Sequence, residues 1–488
     1  MRKLIAVILT AALLCAALLS FAPLLKNRSQ DAKYADYFAD PGRYDIVFLG
    51  SSHVIMGTLP MELWKDYGFS SYNLANYGQL IQADYWFLRL ILSKASPKLV
   101  VVDLYSARYN DEFDSTNSDY MHGLMDCFPL SKLKYHAIKD IFPEDMQKEY
   151  LFPLYYYHSR WNKIDKESFS DPKDAYFFGQ GSDESAIHGI STPVLVRSYE
   201  SAGPTDNRDI DRSDTLGKEY LRKIIELCRE NGIPVMGSVV PFLAYDDDMK
   251  WVNSALEIAE EYGLPVCSGL DPLVINPQTD MFDYGHLNSS GARKWTDVLG
   301  KFIADNFDLP RYESGEVYDF WENEYSGKYI PFKSDIISRQ KMLYNYLMLC
   351  ADKNLSVCLY IPAGSEIFSD KESADLIKNL CHGKELSLLS GTDGTEDYFL
   401  CADKISGKLY EYADRDIDCE LSTGFGTAEF KGRVLSVNGT EIADWNDVSP
   451  HEMNRLQLGI AVFDNQSGKL MSTKWFYRAE SGSYSSLN

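Results

Sequence analysis

Between residues 44 and 308, short β-type runs alternate with amphipathic helical stretches, and this alternation restricts the fold more than any other feature of the chain. Residues 44–49 (YDIVFL), 71–74, 99–102 (LVVV), 234–240 and 264–267 read as strands. Helical stretches separate them. One carries Trp86, Phe87, Leu90 and Ile91, one covers 216–230 and stops at Asn231-Gly232, and one covers 251–262 and stops at Gly263. Parallel neighbours need a long crossover, which a helix provides, so this rhythm predicts an α/β fold with a doubly wound parallel sheet.

A chain of 488 residues exceeds one ordinary core, so two domains are expected behind an N-terminal anchor: residues 1–29, 30–309 and 310–488. Arg2 and Lys3 precede an uncharged run from Leu4 to Leu25, long enough to cross a hydrocarbon core as a helix. Pro23 follows the best small-x-small site, and Leu14 spoils a lipoprotein box at Cys15. An uncleaved single-pass anchor is therefore the preferred reading and a cleaved signal peptide the alternative. Either exports the remainder of the chain.

The rhythm is interrupted from 105 to 213, a stretch rich in aromatic residues such as Tyr155-Tyr156-Tyr157-His158-Ser159-Arg160-Trp161. It reads as an insertion over the functional edge of the sheet, with His158, Arg160 and Trp161 as substrate-binding candidates. A local packing cluster is the competing reading, with Arg160 paired to an acid as scaffold. Beyond Leu309-Pro310 a helix near 336–351, a strand over 356–361 and a helix over 372–380 are expected, then mostly β structure. Asn438-Gly439 and Asn465-Gln466-Ser467-Gly468 signal hairpins. This part reads as a smaller α+β domain.

A net charge of −23 excludes a nucleic-acid partner, which needs a basic face. It also argues against broad adsorption to an anionic membrane surface. Nine Cys form no C-x-x-C pair, and with eight scattered His there is no zinc spacing, so no metal or cofactor is expected. The cysteines of the last third are open to either a disulfide or buried free thiols.

Two segments carry chemistry. Gly50-Ser51-Ser52-His53 directly follows the first strand, where open α/β sheets bind ligands. Far downstream, Asp283-Tyr284-Gly285-His286-Leu287-Asn288-Ser289 precedes a helix, with Asn288 or Ser289 as its cap. An Asp three residues before a His lets one loop supply both groups. His286 takes a proton from Ser52, while Asp283 fixes the tautomer and stabilises the imidazolium.

Together these segments resemble the GDSL/SGNH hydrolase superfamily over residues 44–308. Ser52 matches the first-block nucleophile and Asp283/His286 the closing D-x-x-H. Asn73-Leu74-Ala75-Asn76-Tyr77-Gly78 is similar to the second block, with Gly78 at the oxyanion glycine and Ala75 in place of the first glycine. The third block departs, because Ala107 stands near the expected oxyanion Asn. Gln79 and Tyr105 are the candidate replacements; without them the N–H groups of Ser52 and Gly78 serve alone.

The resemblance implies a flavodoxin-like sheet and a catalytic triad of Ser52, Asp283 and His286. The Gly-Ser-Ser version of the block and the anchor look like the envelope-modifying branch, which includes the D-alanyl-transfer proteins of teichoic acid assembly and the O-acetylation proteins of exopolysaccharide export. That implies acyl transfer or ester hydrolysis on a cell-surface glycan, with that glycan or an acyl carrier as partner and the catalytic domain outside the cytoplasm. The alternative is a catalytically retired scaffold that binds glycan or assists envelope assembly. Residues 340–478 resemble the interleukin-like EMT-inducer domain, which suggests binding.

Overall fold

The computed structural model describes residues 28–108, 118–159, 164, 203–381, 384–446, 456–478 and 482–486, together with Lys3, Ile5, Leu9, Thr10, Leu13 and Leu25. The apolar run expected to anchor the chain lies almost wholly outside the described residues. Among the described residues no helix is long and apolar enough to cross a membrane. The chain divides into two compact units. One comprises residues 1–192, 203–274 and 295–321, the other 193–202, 275–294 and 322–488.

The first unit is built on a five-stranded parallel sheet in the order β2-β1-β3-β4-β5. Its strands are β1 (Ile46–Leu49), β2 (Ser71–Asn73), β3 (Leu99–Asp103), β4 (Val235–Val239) and β5 (Val266–Ser268). Every residue of β1 to β4 is buried, and β1 and most of β3 are apolar runs without alternation, as expected where helices cover both faces. Ile46 pairs with Ser71 on one side and with Leu99 on the other, which brings the carboxyl ends of β1, β2 and β3 to one edge.

The crossovers follow the sequence closely. The helix Leu216–Glu230 has the bounds read from the sequence, with Thr215 accepting from the Lys218 amide at its start. The helix Asp246–Glu261 begins five residues before the expected start at Trp251. Three aspartates occupy its first turn, where the dipole favours them, and Asp248 accepts from the Tyr245 amide at 3.0 Å. Thr296 Oγ1 accepts from the Leu59 amide and donates to the Gly57 carbonyl, holding this part of the helix Ser289–Asn306 against the segment after β1. Residues 310–321 pack within this unit, where Trp321 and Tyr312 stack on Trp64.

The second unit has ten strands among the described residues: β6 (Leu355–Ile361), β7 (Asp397–Asp403), β8 (Lys408–Asp414), β9 (Asp418–Thr423), β10 (Gly426–Lys431), β11 (Val434–Val437), β12 (Thr440–Asp444), β13 (Leu456–Asp464), β14 (Leu470–Arg478) and β15 (Tyr484–Ser486). They form a six-stranded antiparallel sheet in the order β15-β14-β13-β6-β7-β8 and a four-stranded one in the order β12-β11-β10-β9. The central strand β6 (Leu355–Ile361) is buried throughout. Val357, Leu359 and Ile361 pack with the helices Leu343–Cys350 and Lys371–Leu380, while Cys358 and Tyr360 pack toward Phe430, Leu435 and Trp445 of the smaller sheet. Asn438 and Gly439 join β11 (Val434–Val437) to β12 (Thr440–Asp444), both with positive φ, as a two-residue hairpin turn requires. The eight cysteines among the described residues are free thiols.

One expected helix, 336–351, is two. Ile330–Arg339 and Leu343–Cys350 are separated by an extended break, in which Met342 bridges Ser485 and the Lys341 carbonyl accepts from the Ser486 amide at 2.8 Å. Pairing with β15 (Tyr484–Ser486) outweighs local helix preference there.

Asp352 is a buried charge hub of this unit. Lys333 donates to it, Arg293 Nε lies 3.3 Å away, and the Asn354 amide donates at 2.9 Å. Burial alone would push the carboxyl up, but the Arg293 and Lys333 charges hold it far below the usual range. Asp352→Asn removes the charge that both cations face and is expected to lower the stability of this unit by roughly 3–5 kcal/mol. Urea unfolding followed by Trp445 fluorescence checks this, and a loss below about 1 kcal/mol would show the hub to be dispensable.

Candidate active site

The candidate residues fall in two places. Ser52, Gly78, Gln79 and Tyr105 sit at the carboxyl edge of the parallel sheet in the first unit, whereas Asp283 and His286 belong to the second.

The Ser52 half begins where β1 ends. Gly50 has a φ of +149°, and a Cβ there would lie 2.4 Å from Asp103 Cβ, so only glycine fits the turn. Ser51 adopts an extended conformation, and its carbonyl accepts from the Val54 and Ile55 amides at 3.1 and 3.2 Å. Ser52 is thus the first residue of the six-residue helix Ser52–Gly57, and it is half-buried between buried neighbours.

The loop after β2 is tied to this turn. The Asn76 amide donates to the Gly50 carbonyl at 3.2 Å. Asn73 Nδ2 donates to the Val54 and Thr58 carbonyls at 2.9 and 3.2 Å, joining the loop to the short helix that Ser52 starts. Gly78 has a φ of +58°, and the loop ends at the helix Ile81–Leu92. Gln79 is buried, and its Nε2 donates to Asp84.

Tyr105 lies in the 3-10 turn Leu104–Arg108 after β3, half-buried. Its ring stacks on His53 at 3.7 Å between centroids, and the Arg108 guanidinium lies 4.0 Å from its centre. Ala107 is buried in the same turn.

Of the insertion residues, His158 is exposed, with Nδ1 2.6 Å from the Tyr155 carbonyl. Arg160 and Trp161 lie outside the described residues. The insertion does reach the loop after β2. Tyr120, in the helix Ser118–Asp126, packs its ring on Tyr77, and its carbonyl lies 3.5 Å from Asn76 Nδ2.

The second half is a tightly bonded loop. His286 Nδ1 is 2.9 and 3.0 Å from the two Asp283 carboxylate oxygens. A carboxylate only accepts, so Nδ1 carries the hydrogen and Nε2 is left as the basic atom. The Gly285 and His286 amides also donate to Asp283 Oδ1, at 2.8 and 2.9 Å. Burial pushes the Asp283 carboxyl up, but the His286 ring and these amides outweigh it and hold the group below its ordinary range.

Behind this pair, Asp280 is fully buried and gathers the loop. It accepts from the Asn276 amide, Thr279 Oγ1, Ser290 Oγ and Lys294 Nζ. Asn288 Oδ1 accepts from the Ser290 and Gly291 amides and caps the helix Ser289–Asn306, and its Nδ2 donates to the Thr279 and Met281 carbonyls. A Cβ on Gly291 would meet the Asp280 carbonyl at 2.3 Å. His286 therefore sits on a loop with little freedom to reorient.

Two acids that the sequence reading passed over hold the Ser52 half. Asp103, the last residue of β3, is buried and accepts from Ser51 Oγ and the Tyr105 amide, each at 3.2 Å, and from the Ser51 amide. Asp84, in the first turn of the helix Ile81–Leu92, is buried and accepts from Gln79 Nε2 and the Gly50 amide. The signal available was position: an Asp ending a parallel strand lies where such sheets bind ligands. Asp84 carries no such mark, because an acid in the first turn of a helix is ordinary. Among the described residues no group of three or more His, Cys, Asp or Glu is placed to hold a metal ion.

Comparison of the sequence with models of known protein families and with curated proteins finds no match.

Burial, opposed by the Tyr105 and Ser51 bonds and the more distant Arg108 charge, pushes Asp103 up to about 7. Because the folded value is raised, its contribution to stability is present in full below the unfolded value near 3.9 and is lost as pH rises through about 7. Asp103→Asn should therefore flatten the fall in melting temperature between about pH 4 and about pH 7, a difference worth up to about 4 kcal/mol. Thermal unfolding across that range checks it, and an unchanged slope would mean that Asp103 is already ionised at the acid end.

Proposed function

We propose that the chain is a serine-dependent O-acyl esterase or acyltransferase of the GDSL/SGNH type, with Ser52 as nucleophile, His286 as base and Asp283 as its orienting partner. The observation that carries the reading is the Asp283–His286 pair: a carboxylate on Nδ1 leaves Nε2 basic, which is the state a general base for a serine hydroxyl requires. Ser52, at the mouth of β1, supports it. So does the strand order 2-1-3-4-5, the order of flavodoxin-like doubly wound sheets, which place ligands at the carboxyl ends of their strands.

In this mechanism Ser52 Oγ attacks the ester carbonyl as His286 Nε2 takes its proton. The oxyanion is received by the backbone N–H groups of Ser52 and Gly78, because the Gln79 amide already donates to Asp84. His286 then protonates the departing alcohol, and the acyl group passes from Ser52 to water or to another hydroxyl. A glycan of the cell envelope is the substrate class that the sequence resemblance favours, with the anchor holding the catalytic unit outside the cytoplasm. A non-catalytic glycan-binding scaffold is the second reading. The engagement of Gln79 with Asp84 and the Ala107 in place of an oxyanion Asn favour it.

A fluorophosphonate is expected to label the purified full-length protein at Ser52. Ser52→Ala should abolish the label and lower kcat on p-nitrophenyl acetate by about 10³-fold or more, and His286→Asn should do nearly as much. Wild-type protein that neither takes the label nor turns over the ester, while folded, would leave the binding scaffold as the reading.

A further inference from the structure

The turn that presents Ser52 and the loop that carries Gly78 meet at one side chain, Asp84. Its carboxyl accepts from the Gly50 amide on the turn and from Gln79 Nε2 on the loop. Both Asp84 and Gln79 are buried, at 0% and 1% exposure. Two of their atoms, Asp84 Oδ2 and Gln79 Oε1, have no hydrogen-bond partner among the described residues.

Both of those atoms are acceptors when Asp84 is ionised, and two buried acceptors without a donor, on side chains already joined by one hydrogen bond, are costly. They are also the two atoms that close a ring between a primary amide and a carboxylic acid. In such a ring the amide N–H donates to the acid carbonyl, and the acid O–H donates back to the amide oxygen.

We propose that Asp84 is a neutral, protonated acid whose hydroxyl donates to Gln79 Oε1, and that this closed pair is the positioning device which sets the Gly78 loop against the Ser52 turn. Only the catalytic consequence rests on the esterase reading; the proton on Asp84 follows from the buried pair itself.

The surroundings agree. Burial pushes the Asp84 carboxyl well above the usual carboxylate range; the Gln79 and Gly50 bonds work against that, and the Asp103 charge adds to it. The other titratable groups that face it are Asp103 at the end of β3 and the buried Tyr34 of the helix Arg28–Ala39, whose own hydroxyl accepts from Asn76 Nδ2 of the same loop. Neither supplies a positive charge, so only the Gln79 and Gly50 hydrogen bonds favour the ionised form, and burial outweighs them. With Asp84 neutral, Asp103 can ionise next to the same turn without a second charge behind it.

The test uses the full-length protein and two substitutions. Asp84→Ala leaves the Gly50 amide and the Gln79 amide without their acceptor, and should lower kcat on p-nitrophenyl acetate by roughly tenfold or more with KM little changed. Asp84→Asn keeps a neutral side chain that can donate to Gln79 Oε1 and accept from Gln79 Nε2, and should restore most of that loss. In infrared difference spectra at neutral pH, wild type minus Asp84→Asn should show the carbonyl stretch of a protonated acid.

An Asp84→Asn protein that folds yet is as slow as Asp84→Ala would overturn the proposal, as would a difference spectrum showing carboxylate bands instead. If Asp84→Ala does not fold, the Asn variant and the spectrum decide alone. Ester turnover unaffected by Ser52→Ala would sink the esterase reading by itself. In that case the protonated-acid band would still uphold the neutral Asp84, and carboxylate bands would still overturn it.

Discussion

The hydrogen-bonding of β1 on both sides is the constraint on which the first unit depends. Flanked by β2 and β3, the four residues Ile46–Leu49 have their backbone groups taken up by neighbouring strands and their side chains buried. A strand so placed cannot slip, because a shift of one residue would turn every side chain to the other face. The turn at Gly50 therefore has a fixed starting point, and Asn73, Asn76 and Asp103 reach it from the two adjacent strand ends. The second unit achieves comparable rigidity around Asp283 and His286 by different means, with side-chain hydrogen bonds converging on Asp280 and a capped helix following directly.

Much of the first unit was legible in the sequence, because its signals are local. Apolar runs such as LVVV at 99–102 and the Asn231-Gly232 stop are read within a few residues, and all five parallel strands lie within two residues of where the pattern puts them. The pairing of Asp283 with His286 is local too, a matter of three residues in one loop. What escaped the reading depends on partners distant in sequence. The break between Ile330–Arg339 and Leu343–Cys350 exists because a strand more than a hundred residues later pairs with it. Gln79 looks like a side chain free to reach a substrate until Asp84, one turn into the following helix, is seen to hold it. Propensity and periodicity carry no information about such meetings.

Buried acids do unusual work here compared with surface ones. Asp352 faces two cations and is held ionised, whereas burial pushes Asp84 and Asp103 toward their neutral forms against the amide and hydroxyl bonds that they accept. The same side chain thus serves as a charge anchor in one unit and as a hydrogen-bonding strut in the other, and the difference lies wholly in what surrounds it.

The six-stranded sheet has a consequence for the order in which the chain can take shape. Its two innermost neighbours, β6 (Leu355–Ile361) and β13 (Leu456–Asp464), are about a hundred residues apart along the chain, and the four-stranded sheet is made in between. During synthesis β6 can find β7 early, but its other edge stays open until β13 has emerged. Loop closure over that distance is slow, and an apolar strand with one bare edge is a template for wrong partners. The segment 275–294, with Asp283 and His286, belongs to this late-closing unit. Its final bracing through Asn379 and Asp352 therefore waits on residues made long after it, so the time a nascent chain spends vulnerable to aggregation is set by the far end of the sequence.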